Sequence, residues 1–215
     1  FSTTPMVPVV PDILIRRASD GGWLVELNAD ALPRILLNEN YVAKLRRSAT
    51  DKASREYIND RVTAGNWLVR ALQQRATTIL KVATEIVRQQ DGFFRRGVQH
   101  LRPLTRREVA DTIGMHESTV SRVTTNKYIA TPRGLFELRY FFGSALADAD
   151  GGIGHSAEAV RTRIKTLIEA EPATAVLSDD RIAEILRTEG IEIARRTVAK
   201  YRESLRIPSS SQRRR

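Results

Sequence analysis

The sequence contains no cysteine and only three histidines, His100, His116 and His155, in 215 residues. Disulfides and cysteine-ligated zinc are therefore excluded, and a reducing compartment is permitted without being required. The histidines share no H-x-x-x-H or comparable ligand spacing, so each is expected as a cap, a surface residue or a packing residue, and no metal is expected. No apolar run approaches the ~20 residues that cross a bilayer, which argues against a membrane span. Acidic residues are also scarce: 25 face 35 lysines and arginines, leaving a net charge of +10 and a pI near 10.5. That excess favours a polyanionic partner, nucleic acid ahead of an anionic membrane. The start, Phe1-Ser2-Thr3-Thr4-Pro5, has neither an initiator methionine nor a signal-peptide pattern. It is expected of a fragment or a processed chain.

What is present is unevenly placed. The chain is 41% hydrophobic, enough for one large or two small domains with cores of their own. Residues 95–142 carry a net charge of +5, residues 143–193 carry −5, and residues 194–215 carry +7. Two basic islands are thus separated by an acidic spacer, the pattern expected of two DNA-contacting modules joined by a stretch that does not contact DNA.

Local signals place the elements. Ile13-Leu14-Ile15-Arg16-Arg17 and Trp23-Leu24-Val25-Glu26-Leu27 flank Ser19-Asp20-Gly21-Gly22, which predicts a β-hairpin whose glycines supply positive φ. Residues 51–94 lack proline and repeat apolar residues at helical spacing, predicting one very long helix or two nearly collinear ones with a bend near Gly65 or Thr77-Thr78. Trp67 on that segment is expected to pack rather than to stack on a base. Leu104-Thr105-Arg106-Arg107-Glu108 is a capping box: Thr105 can accept from the Glu108 N–H, and Glu108 can reach back to the N–H of Thr105. The helix it opens should end at Gly114. A second helix over 117–125 would turn Val120 and Val123 inward and Glu117, Ser118, Ser121, Arg122 and Thr125 outward. Helix, glycine turn and second helix form a helix-turn-helix. Gly151-Gly152-Ile153-Gly154-His155 reads as a linker. Beyond it a helix is predicted over 156–170, and another, capped by Ser178, over 179–189.

The run Ala194-Arg195-Arg196-Thr197-Val198-Ala199-Lys200-Tyr201-Arg202-Glu203 puts four cations into ten residues of one helix. Alone it is a solvated face or a DNA reader. Laid beside the first basic island, it pairs Ser118-Thr119-Val120-Ser121-Arg122-Val123 with Arg196-Thr197-Val198-Ala199-Lys200-Tyr201. Gly114-Met115 then pairs with Gly190-Ile191, and Val109-Ala110-Asp111 with Ile182-Ala183-Glu184. The repeat predicts two helix-turn-helix units reading a bipartite site about one ~34–36 Å turn of the duplex apart. Arg195, Arg196 and Lys200 suit guanine edges, with Thr197 and Tyr201 expected to touch phosphate or pack. Arg122 is the reader expected in the first unit, helped by Ser118 and Ser121, while Arg106 and Lys127 are expected on phosphate.

From Ala194 to Arg202 the sequence resembles the RpoN box of bacterial sigma-54 factors. Met115-His116-Glu117-Ser118-Thr119-Val120-Ser121-Arg122-Val123-Thr124, Lys127-Tyr128, Thr131-Pro132-Arg133-Gly134 and Phe136-Glu137-Leu138-Arg139-Tyr140-Phe141-Phe142 are similar to that family's helix-turn-helix, and Trp23-Leu24-Val25-Glu26-Leu27-Asn28 extends the likeness toward the start. The resemblance implies that the RpoN box, residues Ala194, Arg195, Arg196, Thr197, Val198, Ala199, Lys200, Tyr201 and Arg202, reads the GG of the promoter −24 element. It likewise implies that Thr105, Arg106, Glu117, Ser118, Thr119, Ser121, Arg122, Thr124 and Lys127 face the −12 element, with Arg122 at its centre. The implied parts are the end of a core-polymerase-binding domain at 1–50, an extra-long helix with a helix-turn-helix at 51–147, a linker at 148–155 and the RpoN domain at 156–215. The implied partners are double-stranded promoter DNA, core RNA polymerase and an AAA+ activator. That activator meets family members mainly through a glutamine-rich N-terminal region which this sequence lacks.

The expected fold is therefore mainly α, with a small N-terminal β-hairpin and two helix-turn-helix units joined by a glycine-rich linker. The expected function is a cytoplasmic, nucleoid-associated sigma factor that is not an enzyme and needs no cofactor. A repressor or partition protein would bind the same kind of site without polymerase. A recombinase or transposase would need carboxylates grouped on strands, whereas the strands expected here are only the short N-terminal pair.

Overall fold

The computed structural model describes residues 8–33, 35–143, 156–172 and 175–213. The proposed glycine linker falls outside them. Strands β1 (Ile13–Arg17) and β2 (Trp23–Leu27) pair antiparallel in the expected hairpin. Gly21 turns it at a φ of 82°, and the Asp20 side chain accepts from the N–H of Gly22. Helix α1 (Glu39–Ser48), capped by Asn38, leads to α2 (Lys52–Gln89), capped by Asp51. Helix α2 runs unbroken through Gly65 for 38 residues, roughly 57 Å at the usual rise.

Only its second half enters a core. Ile79, Val82, Ala83, Ile86 and Val87 are buried, whereas Trp67, expected to pack, is 69% exposed. The periodic pattern gave α2 an apolar face, but α1 covers its first half only loosely, and no residue of α2 before Thr78 is buried. At its end the fully buried Gln90 donates to the Arg102 carbonyl and accepts from the Arg102 N–H, closing the loop around α3 (Asp91–Arg96) and the 3-10 turn Val98–His100. Phe93 then stacks edge-on with Phe94, Phe136 and Phe141 at 5.1–5.3 Å between ring centroids.

Helices α4 (Arg106–Ile113) and α5 (Glu117–Thr124) are followed by strands β3 (Tyr128–Thr131) and β4 (Gly134–Glu137), which the sequence did not lead us to expect. They turn through Gly134 at a φ of 124°. The sheet order is β2-β1-β3-β4, with β1 parallel to β3. The two hairpins therefore share one sheet, and the sheet and the helix-turn-helix share one core, in which Ile13, Ile15, Val109, Val120 and Ile129 meet α2.

A second core holds the C-terminal helices α6 (Ala157–Glu169), α7 (Asp179–Thr188), α8 (Arg195–Ser204) and α9 (Ser210–Arg213). Ser156 and Ser178 cap α6 and α7 as expected. Val160, Ile164, Ile182, Leu186, Ile191 and Val198 fill the space between them. Helix α6 also lies against the Val98–His100 turn. There, burial and then the Glu158 carboxylate push the Tyr140 phenol up to about 12, with Arg161 acting in the other direction. Because the folded value lies above the ordinary 10, the neutral phenol is the favoured form. Its contribution is complete below pH ~10 and is lost as pH rises toward ~12. Carbon-13 spectra of tyrosine-labelled protein should show one phenol titrating near that limit, and its return to an ordinary value in Glu158→Ala would be smaller than the full shift.

Candidate nucleic-acid interface

The two helix-turn-helix units are closed by the same kind of glycine turn. In the first, Thr105 and Glu108 form the capping box, with the Glu108 N–H donating to Thr105 Oγ1 at 3.2 Å and the Thr105 N–H to the Glu108 carboxylate at 2.6 Å. Gly114 ends α4 at a φ of 66°, and the Met115 N–H returns to the Ala110 carbonyl at 2.9 Å. In the second, Gly190 sits at a φ of 86°, and the Ile191 N–H returns to the Leu186 carbonyl, also at 2.9 Å. The two turns close with the same bond six residues long, a pattern in which glycine removes the steric cost of left-handed backbone.

That bond corrects the repeat. It matches Ala110 with Leu186, so the expected pairing of Val109-Ala110 with Ile182-Ala183 is nearly one helical turn out of register. The second unit has its additional residues at the start of its first helix, which begins three residues earlier in this register, and between Gly190 and α8, where Ile191 and Ile193 are buried as plugs. The second helices do match as expected: Val120 and Val198 are both fully buried at equivalent places.

Around those anchors the helices sort their side chains by period. On α5, Glu117, Ser118 and Arg122 are exposed, with Ser121 and Thr119 half-buried. His116 is the cap of this helix, its Nδ1 accepting from the Ser118 N–H. On α8, Arg195, Arg196 and Lys200 are exposed beside Ala194, with Thr197 and Ala199 half-buried. Arg195 keeps only a loose, solvent-exposed pairing with Asp180 at 3.5 Å, of little energetic consequence in water. Ala194 gives α8 no side-chain cap.

Four expected contact residues face elsewhere, and a fifth, Tyr201, takes the packing role that was one of its two expected ones. Thr124 is 1% exposed, and its hydroxyl donates to the Val120 and Ser121 carbonyls. Val198 is core. Arg202 is 5% exposed, its guanidinium donating to both Asp179 oxygens at 2.9 and 3.2 Å and to the Ile207 carbonyl at 2.7 Å. Tyr201 packs on the second core with the Arg161 guanidinium 5.2 Å from its ring centroid. Lys127, expected on phosphate, donates instead to Asp12 at 2.8 Å. Thr105 is occupied by its cap, and Arg106 is half-buried over the Phe142 ring. Among the described residues no group of acidic and histidine side chains could hold a metal, and no helix is long and apolar enough to cross a membrane.

The family description "Sigma-54, DNA binding domain" matches residues 55–215, and "Sigma-54 factor, core binding domain" matches residues 1–41. The chain belongs to the sigma-54 family. It is 62% identical over its whole length to RNA polymerase sigma-54 factor 1 of Bradyrhizobium diazoefficiens, of which it covers 44%. It is 60% identical, again over its whole length, to the sigma-54 factor of Sinorhizobium fredii, of which it covers 42%. The chain thus spans less than half the length of these relatives. It also superposes on a crystal structure of Aquifex aeolicus sigmaN bound to promoter DNA with a TM-score of 0.63 and 36% identity, covering 97% of this chain and 61% of that one. The boundary between the two sigma-54 descriptions runs through the shared sheet. Strands β1 and β2 belong to the core-binding description, and β3 and β4 to the DNA-binding one.

Proposed function

We propose that this chain is the promoter-reading part of a sigma-54 transcription initiation factor. Helix α8 enters a major groove at the −24 element, where Arg195, Arg196 and Lys200 meet guanine edges and the uncapped first turn takes a phosphate. Helix α5 faces the −12 element with Ser118, Ser121 and Arg122. The N-terminal unit joins core RNA polymerase, and an AAA+ activator acts on the complete factor. The protein delivers an enzyme to DNA and is itself no catalyst; its place is the bacterial cytoplasm, at the nucleoid. The observation that carries this reading is the pair of glycine-turned helices, one presenting Arg122 and the other Arg195, Arg196 and Lys200, each above an equivalent buried valine.

The decisive substitution is Arg195→Ala. Loss of a bidentate guanine contact weakens binding to a GG-containing duplex by roughly tenfold to a hundredfold, while binding to random DNA changes little. Fluorescence anisotropy at fixed salt measures both. A uniform loss over all sequences would reassign Arg195 to phosphate. Capture of core RNA polymerase by the same chain separates a sigma factor from a repressor that reads the same site.

A further inference from the structure

The side chain of Asp12 is a buried carboxylate at the junction of the two family domains. The residue is 7% exposed. One oxygen accepts from Lys127 Nζ at 2.8 Å, and the other accepts from the Tyr128 N–H at 2.9 Å. Its backbone does the same work, since the Asp12 N–H donates to the Tyr128 carbonyl and the Asp12 carbonyl accepts from the Asn28 N–H. Asn28 in turn donates its side-chain amide to the Pro11 carbonyl. Asp12 therefore ties the base of the first hairpin to the residues that follow α5.

Those residues leave the helix under tight control. Asn126 takes a left-handed φ of 52°, and its N–H reaches the Glu137 carboxylate. Lys127 then receives the Leu138 N–H on its carbonyl while its ammonium turns inward to Asp12. A lysine on phosphate would be solvated and mobile. This one is three-quarters covered and bound to a carboxylate more deeply covered than itself. A buried ion pair of this kind adds little net stability but fixes register, because either partner left alone is penalised.

We propose that Asp12 and Lys127 form a clamp that sets the angle at which α5 is presented, so that seating the N-terminal unit on core polymerase and reading the −12 element are coupled. Lys127 is a positioning residue and neutralises no phosphate. The proposal rests on the reading that the N-terminal unit binds core polymerase and α5 reads −12. Coupling of this form is reciprocal: polymerase tightens −12 recognition by the factor by which −12 DNA tightens polymerase binding.

The test compares the parent chain with Lys127→Met, Lys127→Arg, Asp12→Asn and the Asp12→Asn/Lys127→Met double variant. Affinity for a duplex with both elements, and for one with a scrambled −12 element, is measured across a salt series with and without core RNA polymerase. Asp12→Asn keeps an acceptor for the Tyr128 N–H and hence the strand pairing, so the comparison survives if Lys127→Met does not fold. The expected result is a loss of −12 discrimination of about tenfold in each single variant, within the usual range of coupling. The salt slope stays unchanged, the double variant is no worse than either single, Lys127→Arg restores the parent, and the tightening by polymerase shrinks toward unity in the impaired variants. A salt slope lowered by about one unit in Lys127→Met, with Asp12→Asn binding as well as the parent, would overturn the clamp and place Lys127 on phosphate. A parent chain that does not distinguish the scrambled element overturns the promoter reading itself, and the clamp with it.

Discussion

Replacing Arg202 with methionine should unfold the C-terminal helical unit rather than blunt its reading of DNA. The guanidinium is buried, and its three hydrogen bonds hold two different parts of the unit. Two go to Asp179 in the first turn of α7, and one goes to the Ile207 carbonyl beyond the end of α8. Methionine matches much of the volume but leaves the Asp179 carboxylate without its counter-charge in a site where water reaches it poorly. Breaking one side of a buried pair costs about 3–5 kcal/mol, as much as a unit of some 60 residues can spare. Urea unfolding followed by circular dichroism should therefore show an early transition that removes the C-terminal helices while α2 remains folded. Arg195→Ala, at an exposed site on the same helix, should leave that transition where it was. A folded Arg202→Met protein that had lost GG recognition alone would put Arg202 on the DNA after all.

The same arithmetic explains what was legible in the sequence. Val120 and Thr124 are four residues apart, as are Val198 and Arg202, so once the valines are taken as inward, helical period turns Thr124 and Arg202 inward too. The signal was present, and the density of cations in the run masked it. Caps and glycine turns were readable because they are closed locally: Thr105 with Glu108, Ser178 with Arg181, Gly114 and Gly190 with their own helices. The second hairpin was not. Its strands are four residues each, too short to show alternation, and β3 takes as its neighbour a strand more than a hundred residues earlier. Asp12 and Lys127 were out of reach for the same reason, since nothing local distinguishes a lysine held by a distant carboxylate from one waiting for a phosphate.

The other large effect concerns the spacing between half-sites. Inserting half a helical turn, about 5 base pairs, turns the second half-site to the opposite side of the duplex. The covalent chain is one tie between the two units, and packing is a second. Helix α6 lies against the Val98–His100 turn, Tyr140 lies close to Glu158 and Arg161, and Arg161 stacks on Tyr201 of α8. That chain of contacts runs from the aromatic core to Tyr201 on α8, and under the proposed reading it would set the phase between α5 and α8 on the duplex. A half-turn insertion forces a choice between keeping the contact and engaging both elements. Losing simultaneous engagement forfeits the avidity of linked sites, about 10²-fold to 10⁴-fold. Competition binding against the natural spacing should show a loss in that range, and a full-turn insertion, which restores the phase, should recover part of it. Arg161→Ala, which removes one link of that tie and leaves the exposed cations of α5 and α8 in place, should narrow the difference between the two insertions. Equal affinity for all three spacings would mean that only one of the two helices holds the DNA.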